Sequence, residues 1–435
     1  MLAKDKLKSG DISDISKYLD QELVINLASL SKTLHEALLA MAVTVGLDVM
    51  NMMMEKEIEG KIGPKGAQIK DRVGNWYGTT GAKVTLGSRR LKIFRPSARS
   101  KDGYEIPIET WKTFSSKDIA EQVVLEKLLA GVSTRKMTKT LDPVGSEVEN
   151  STIGSSKSSI SREFVKLTES AIQDIMNQDI EKLNIAIIMI DGIEVAKSSV
   201  VCALQITENG TKVPLGLVMG DTENKTVVKD LLSNLVQRGL SCDNGLLAVI
   251  DGAKALHSAV ISVFLDQIKI QRCTIHKRRN VTDYLPKDKR PIVDKKLKLA
   301  FSNTDPVDGL KIANQVINDL KKDHPDAAKS LEEGLDEMFT VAKLKMPSIL
   351  LKSLNNTNSI ESMFSTVRDF TKNVKNWSSG DMKKRWIAAG VITAERSFIR
   401  IKGYQHMPIL IAKLKEHAVN NLPTLFDSKQ QVGVA

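Results

Sequence analysis

Two aspartates each follow a wholly apolar segment, and they are the residues of this chain best placed to do chemistry. Asp191 follows residues 185–190 and Asp251 follows residues 245–250. A lone carboxylate at the end of a buried strand is costly, and two on neighbouring strands repel each other unless a cation lies between them. Oxygen ligands without an accompanying cluster of His or Cys suit Mg²⁺ or Mn²⁺, and two such ions are the usual means of in-line displacement at a phosphodiester. Each aspartate is also followed by glycine, and Asp-Gly is a common turn dipeptide. Either one alone is therefore better interpreted as a turn residue, and only the pair indicates a metal site.

A third acid has to come from further along the chain, and Glu361 is the candidate. Residues 355–361 open a predicted helix that continues to about Lys375. Asn358 with Glu361 three residues later fits a capping box, which is a purely structural role. One helical face also carries a carboxylate followed by a hydroxyl and three cations: Glu361, Ser365, Arg368, Lys372 and Lys375. That face suits a metal ligand beside a phosphate track, although a solvated basic face would show the same spacing.

The overall composition is that of an ordinary globular protein with a basic balance. The 435 residues are 42% apolar and 26% charged, which allows two to four domains by the usual domain size. We expect no membrane-spanning segment and no signal peptide, because no apolar run has the required form. Three widely spaced cysteines imply no disulfide framework and fit a reducing cytoplasm. The net charge of +11 favours an acidic partner such as DNA.

The positive charge is concentrated in residues 61–101. That stretch holds eleven basic residues against one acid, Asp71, for a net charge of +10. Aromatic residues and a β-rich run at 84–93 indicate a folded element, so DNA binding is favoured over an idle basic surface. The residues proposed to contact DNA here are Arg89, Arg90, Arg95 and Arg99.

The pattern along the chain predicts a multidomain α/β protein. The regions are 1–60, helical, for DNA binding or dimerisation; 61–110, a small basic β module; 111–182, helical and helix-turn-helix-like; 183–285, the first part of a catalytic core; 286–352, a helical insertion; 353–405, final helices with Glu361; and 406–435, a C-terminal tail. In the third region a Ser-rich turn at 155–163 feeds a helix carrying Lys157 and Arg162, which could meet phosphates or a major groove. Many short helical segments look alike, so this assignment is open.

The predicted core begins with three meandering strands. Strands at 185–190, 200–207 and 213–219 are followed by a helix from Thr222 to Arg238, and Asn209-Gly210 between the second and third strands is a strong hairpin signal. A strand at 246–250, a helix at 253–264 and a strand at 269–273 complete the series. A meander followed by helix-separated strands is the order of a ribonuclease-H-like core.

Four motifs occur in one order: Asp191-Gly192, residues 251–256 (DGAKAL), residues 271–280 (QRCTIHKRRN) and residues 357–361 (TNSIE). Together with the basic segment at 81–96, they resemble the mutator-type transposases in their prokaryotic insertion-sequence branch. The resemblance runs from about Gly81 to about Trp377, and Ala255 stands where that family often has glycine. It implies a ribonuclease-H-like mixed-sheet core with an all-helical insertion. It also implies a DDE triad of Asp191, Asp251 and Glu361, which are both catalytic residues and ligands of two Mg²⁺ or Mn²⁺ ions per active site.

Cys273 and His276 form a Cys-x-x-His pair inside the third motif. Alone, the pair suggests half of a zinc site, but the other cysteines and histidines offer no matching pair. The resemblance instead places both residues beside the active site, as support for it or as DNA contacts. Four residues that follow or overlap the pair add phosphate-binding capacity: Lys277, Arg278, Arg279 and Asn280.

The expected function is therefore that of a DNA transposase. It would bind the terminal inverted repeats of its element, cleave DNA with metal ions, and join a 3′-hydroxyl to target DNA. Because two ends meet in one complex, we expect at least a homodimer, with a nucleoid-associated cytoplasmic location and no membrane partner. The alternatives are a metal-dependent nuclease or resolvase on the same fold, and a domesticated DNA-binding regulator with an inert core. The three acids argue against the regulator.

Overall fold

The computed structural model describes residues 21–420, apart from 87–88, 116–117, 142–143, 145 and 221–223. Predictions for residues 1–20 and 421–435 lie outside the described residues. The helix predicted from Thr222 begins at Lys225 instead, because the Asn224 side chain caps it by accepting from the Val227 N–H. The chain divides into two compact units, Met1–Phe164 and Val165–Ala435. It is an α/β protein with many helices and two separate sheets.

The first unit is built on a long helix and a small antiparallel sheet. Its elements are α1 (Gln21–Ile62), β1 (Gly74–Leu86), β2 (Arg89–Ser100), α2 (Glu109–Ser115), α3 (Asp118–Leu129), α4 (Ser146–Ser151) and β3 (Thr152–Ile153). The strand order is β1-β2-β3, and β1 and β2 pair along most of their length. Met50, Val84 and Leu91 form one small buried cluster, and Met54 and Ile58 belong to another. The predicted basic β module thus contains a β-ribbon of two long strands.

Helix α1 contains one long apolar segment. Its segment Thr33–Ile62 is long and apolar enough to cross a membrane by length and composition, with a mean hydropathy of 1.7. A core helix of a soluble protein meets the same criteria, and Met54 and Ile58 are indeed buried. A row of apolar side chains on the same helix is nevertheless exposed: Leu34, Leu38, Met41, Val45 and Met52.

The second unit contains a five-stranded mixed sheet. Helix α5 (Lys157–Met176) leads into β4 (Ile185–Val195), β5 (Ser198–Thr207), β6 (Lys212–Gly220), β7 (Leu246–Ile250) and β8 (Ile268–Arg272). The order across the sheet is β6-β5-β4-β7-β8, with antiparallel pairing among β4, β5 and β6 and parallel pairing of β4, β7 and β8. The predicted Asn209-Gly210 hairpin is present, and Gly210 has the left-handed backbone (φ +81°) that such a turn requires.

Alternation along the strands gives this sheet two different faces. Ile188 and Ile190 point to the side covered by α6 (Lys225–Gln237) and α7 (Lys254–Phe264). Ile187 and Met189 point to the opposite side, which we call the insertion face. The helices after β8 are α8 (Thr274–Asp283), α9 (Arg290–Ser302), α10 (Pro306–Lys321), α11 (Pro325–Glu332), α12 (Thr340–Lys343), α13 (Ser348–Leu354), α14 (Asn358–Thr371), α15 (Gly380–Glu395) and α16 (Met407–Asn420). Most of them contribute to the core on the insertion face, and the predicted insertion at 286–352 is helical as expected.

Candidate active site

Strand register brings Asp191 and Asp251 together. In the parallel pairing of β4 with β7, the last matched residues are Ile190 and Ile250, so each aspartate is the next residue on its strand. Neighbouring strands lie roughly 4.8 Å apart. Side chains two residues apart along a strand lie on the same face. Asp191 therefore lies on the side of Met189 and Asp251 on the side of Val249, which is the insertion face. The sequence predicted Asp191 at the end of a strand, but β4 continues to Val195 in antiparallel pairing with β5.

The next strand ends at the same level. Ile250 is matched with Arg272 at the end of β8, and the Cys273 N–H donates to the Ile250 carbonyl over 2.7 Å. Helix α8 begins at the following residue and carries His276 in its first turn. The Thr274 N–H donates to the Asn355 carbonyl at 2.9 Å, which holds the segment before α14 against the start of α8. This link brings Glu361 to the two strands that carry the aspartates.

Thr357 holds Glu361 close to Cys273 and His276. The Thr357 hydroxyl donates to Glu361 Oε1 at 2.9 Å. The Thr357 hydroxyl oxygen also lies 3.4 Å from Cys273 Sγ. His276 Nε2 is 3.7 Å from Glu361 Oε1. One ligand atom from each of Cys273, His276 and Glu361 lies within 4.8 Å of the others, so the three could hold a metal ion. The sequence offered no further ligand for the Cys-x-x-His pair, and the structure places Glu361 beside it.

The sequence left a capping box at Asn358 as the structural alternative for Glu361, and the structure does not show it. Thr357 occupies the position before the helix without a side-chain cap hydrogen bond, and Asn358 is the first residue of α14. The Asn358 N–H donates to Asn356 Oδ1 at 2.9 Å. Glu361 accepts its hydrogen bond from the Thr357 hydroxyl. The role of Glu361 as a backbone cap, which was the structural alternative, is therefore not the one observed.

The titrating groups of the site influence one another. The pKa of Asp191 is raised to about 7, chiefly by burial and then by the charges of Asp251 and Glu361, while His276 and the hydrogen bond from the Gly192 N–H act in the opposite direction. Burial also raises the pKa of Asp251. The pKa of His276 rises to about 9, chiefly through its hydrogen bond with Cys273 and despite its burial. Burial alone would raise the pKa of the Cys273 thiol, but hydrogen bonds from His276 and Thr357 outweigh it and lower that pKa. The site is a cluster of acids facing one imidazolium.

Lys277 does not point toward a ligand. It is buried, and its ammonium group donates to the carbonyls of Ser330 and Glu333 at 2.7 and 2.8 Å. The prediction that it contacts phosphate is therefore corrected, because both bonds tie α8 to the helical insertion.

Gln271 and Arg272 attach the same motif to the insertion. The buried Gln271 side chain donates to the Met338 carbonyl at 2.9 Å and accepts from the Val341 N–H at 3.0 Å. Arg272 Nε donates to Glu337 Oε2 at 2.5 Å. Sequence reasoning assigned no role to Gln271, Arg272 or Glu337. The available signal was polar residues at a strand end, since such groups are buried only with partners.

The other predicted DNA contacts of the second unit lie on two helices. On α8, Arg278 pairs with Asp294 at 2.6 Å, whereas Arg279 and Asn280 are exposed. On α14, Arg368 and Lys372 are exposed, and Lys372 pairs with Asp369. The exposed members are free to meet a ligand on geometric grounds.

In the first unit the predicted arginines differ sharply in exposure. Arg89 and Arg95 are buried, and Arg95 donates to Glu105 at 2.5 Å while its guanidinium lies 5.0 Å from the centre of the Trp111 ring. Arg99 stacks over Tyr77 at 3.8 Å. Arg90 is partly exposed. The interior contacts of Arg95 do not fit its predicted role in DNA binding. Lys157 and Arg162, predicted on a recognition helix, are exposed at the start of α5.

Comparisons with known proteins show the family of this chain. A family profile described as "Transposase, Mutator family" matches residues 21–399. The chain is 24% identical over 330 residues to the transposase for insertion sequence element IS256 in transposon Tn4001 of Staphylococcus aureus, covering 72% of this chain and 79% of the relative. It is 23% identical over 377 residues to the transposase for ISRM5 of Rhizobium meliloti, covering 85% and 90%, and 29% identical over 254 residues to that for IS6120 of Mycolicibacterium smegmatis, covering 57% and 75%. The chain belongs to the Mutator family of transposases.

Proposed function

We propose that this protein is the transposase of an insertion sequence and acts through a DDE site of Asp191, Asp251 and Glu361 on a ribonuclease-H-like core. The protein would bind the terminal inverted repeats of its element, cut the DNA there, and join the freed 3′-hydroxyl to target DNA. The strand order β6-β5-β4-β7-β8 supports this core, because a three-stranded meander continues into helix-separated parallel strands.

The observation that carries the proposal is that Asp191 and Asp251 directly follow the last matched pair of β4 and β7, together with the raised pKa of Asp191. A buried acid beside a second and a third acid resists ionisation, because the single imidazolium of His276 does not balance three carboxylates. A divalent cation bound by the three carboxylates would remove that repulsion. The donor set of carboxylate oxygens fits Mg²⁺ or Mn²⁺.

The chain's own residues would position the reaction. Asp191, Asp251 and Glu361 would hold two such ions, which activate a water or 3′-hydroxyl nucleophile and stabilise the leaving 3′-oxygen. Thr357 orients the Glu361 carboxylate through its hydroxyl. With its pKa near 9, His276 keeps a proton at neutral pH and presents positive charge beside the acids, where a phosphate would approach. No side chain has to act as a covalent nucleophile.

A strand-transfer assay tests the function. The purified protein would be incubated with duplexes that carry the terminal repeats flanking its own gene, a target plasmid, and either Mg²⁺ or EDTA. We expect 3′-end cleavage and joined products that depend on Mg²⁺. Cleavage without joining would indicate the nuclease or resolvase alternative, and binding without cleavage would indicate a regulator.

We further propose that the active form is at least a homodimer, because two element ends have to be joined in one complex. Its partners would be the terminal-repeat DNA and the target DNA. The location would be the cytoplasm, in association with the nucleoid.

A further inference from the structure

The ribbon formed by β1 and β2 has one face turned to the core of the first unit and one turned to solvent. Val84 and Leu91 are matched across the two strands and are buried. Because side chains alternate, the neighbouring matched pairs belong to the opposite face. That face carries Lys83, Thr85, Arg90, Lys92 and Phe94, and we call it the outer face of the ribbon. Lys83, Lys92 and Phe94 are exposed.

Lys83 and Lys92 lie directly opposite each other on the antiparallel strands. Like charges in that position destabilise a strand pair, and facing Cβ atoms are only about 5 Å apart. Residues 81–96 include no acid. Among the residues that the structure describes, no carboxylate forms an ion pair with either lysine. Two lysines in facing positions, within a stretch that has no acid, leave local positive charge that an anion would neutralise.

Phe94 stands next to this pair on the same face. Its side chain is 75% exposed, which is unusual for a phenylalanine on a strand. The residue opposite it is Gly81, so no side chain from β1 covers the ring. A hollow of about 450 Å³ is lined by Gly81, Lys83, Lys92 and Phe94 together with Ala82 and Ile93. The outer face therefore offers two cations beside an uncovered apolar ring.

We propose that the outer face of the ribbon is a duplex-DNA docking surface, in which Lys83 and Lys92 hold a backbone phosphate and Phe94 contacts the bases. The proposal rests on the DNA-binding function proposed above and identifies the residues that perform it. It moves the contact away from Arg89 and Arg95, whose side chains are buried.

The shape and chemistry of the ribbon favour duplex DNA. The major groove is about 12 Å wide and admits a two-stranded β-ribbon. Ribbon-type DNA-binding proteins place strands in a groove in this way. Phosphates satisfy the lysines without regard to sequence, whereas an apolar ring can contact a thymine methyl group and so read the bases.

The reversal variant Lys83→Glu tests this surface in the full-length protein. It places a carboxylate opposite Lys92, so the cross-strand repulsion becomes an attraction. We expect the thermal midpoint to stay unchanged or rise, while the affinity for a terminal-repeat duplex falls about tenfold or more and the slope of log affinity against log salt flattens by about 1 or 2. A lysine with a merely structural role could not give higher stability with weaker binding.

Lys65→Glu is the matched control, because Lys65 is an exposed lysine of the same basic stretch outside the ribbon and the change in net charge is identical. We expect it to weaken binding less than threefold. The double variant Lys83→Arg/Lys92→Arg should bind like wild type. Phe94→Ala should weaken binding to the terminal repeat more than binding to a mixed-sequence duplex, with an unchanged salt slope.

Equal affinities of the Lys83→Glu and Lys65→Glu variants would overturn the proposed surface while wild-type cleavage of the ends left the transposase function intact. Failure of the wild-type protein to bind or cleave its own ends would overturn both.

Discussion

Asp191 is a buried carboxylate whose protonation should affect folding. Its pKa of about 7 in the folded chain lies above the ordinary value of 3.8, first because of burial and then because of Asp251. Protonation thus favours the folded state, and this contribution is lost as the pH rises from about 4 to about 7. At 1.36 kcal/mol per pKa unit, the effect is at most about 4 kcal/mol. In metal-free protein we expect Asp191→Asn to raise the melting temperature at pH 8 and to change it little at pH 4.

Thermal melts in EDTA across this pH range measure the effect. An equal shift at both pH values would contradict it, because it would show that the charge of Asp191 is not the cause. Added Mg²⁺ should stabilise the wild type more than the variant.

Glu361 should be essential for chemistry and dispensable for folding. In Glu361→Gln the side-chain oxygen remains available to the Thr357 hydroxyl, so α14 should start as before. Losing one negative ligand from a two-metal site should lower cleavage by about a thousandfold, or about 4 kcal/mol. Asp191→Asn and Asp251→Asn should be equally impaired, and a double variant little worse, since the ligands act as one unit.

The measurement is Mg²⁺-dependent cleavage of end DNA under single-turnover conditions, with DNA binding checked separately. A Glu361→Gln protein that binds the ends and cleaves them at nearly the wild-type rate would refute the assignment of this residue.

The individual acids could be found from the sequence, but their surroundings could not. Asp191 and Asp251 stood out because each follows an apolar run, and the structure places each directly after the last matched pair of β4 and β7. Thr357 and Lys277 were missed or misassigned because their contacts join residues far apart in the chain. Lys277 sits among cations in the sequence, yet it points inward to carbonyl groups. Only the packing of the insertion decides that direction.

At the scale of elements, Lys277 should hold the insertion on the core. Lys277→Ala leaves the carbonyls of Ser330 and Glu333 without their charged donor, which should cost about 2 to 3 kcal/mol of unfolding free energy. The salt dependence of DNA binding should not change, because the ammonium group is buried.

Arg279→Ala is the matched control on the same helix, since Arg279 is exposed. Denaturant unfolding and salt titrations of both variants separate the two roles. A flatter salt slope in Lys277→Ala with unchanged stability would restore the original prediction of a phosphate contact.

Glu57 on α1 holds the start of α2. Its carboxylate accepts from the backbone N–H groups of Glu109 and Thr110 at 2.7 and 2.9 Å, and from Lys61 at 2.7 Å. Burial would raise its pKa, but these bonds lower it to about 2. The stabilisation is complete above the ordinary pKa of 4.5 and is lost as the pH falls towards 2. Glu57→Gln should therefore cost about 2 kcal/mol at pH 7, after allowance for partial exposure, and much less near pH 2.

Equilibrium unfolding at several pH values measures the difference in unfolding free energy between the wild type and Glu57→Gln. A gap that stayed constant down to pH 2 would show that the charge is not what matters. Glu59→Gln, two residues away on an exposed position of α1, is the control.

Helices and strands that are marked by short sequence motifs were predicted well, whereas the residues at which they begin and end were predicted less well. The β5–β6 hairpin follows from Asn-Gly, which adopts the required backbone without help from the rest of the fold. The start of α14 was predicted one residue late because Asn358 has good capping chemistry in isolation. In the folded chain Asn358 is already helical and its N–H donates to Asn356 Oδ1. Thr357 precedes the helix without a side-chain cap bond, and the Thr274 N–H donates to the Asn355 carbonyl. The bond between Thr274 and Asn355, which are far apart in the sequence, fixes the segment before α14. A contact of this kind cannot be predicted from the residues around the helix start alone.

At the scale of the whole molecule, the proposed dimer has a candidate surface on α1. The exposed residues Leu34, Leu38, Met41 and Val45 follow one another at spacings of four, three and four, the heptad spacing of a helix that pairs with another helix. We expect Leu38→Lys/Met41→Lys to shift the protein toward monomer without unfolding it, since both side chains are exposed.

Sedimentation velocity over a range of concentrations would report the change. Wild-type protein that is already monomeric at micromolar concentration without DNA would rule out α1 as a stable pairing helix. Lys56→Ala, exposed near the end of the same helix, serves as the control.

The bond from the Thr274 N–H to the Asn355 carbonyl places the entrance and the exit of the helical insertion side by side. The position of Glu361 is then set at that junction and does not depend on the length of chain between. A change in length among the helices between these two points, away from the contacts of Gln271, Arg272 and Lys277, should therefore leave the geometry of the acids unchanged. The number of residues between the second and third acids is not what sets the active-site geometry.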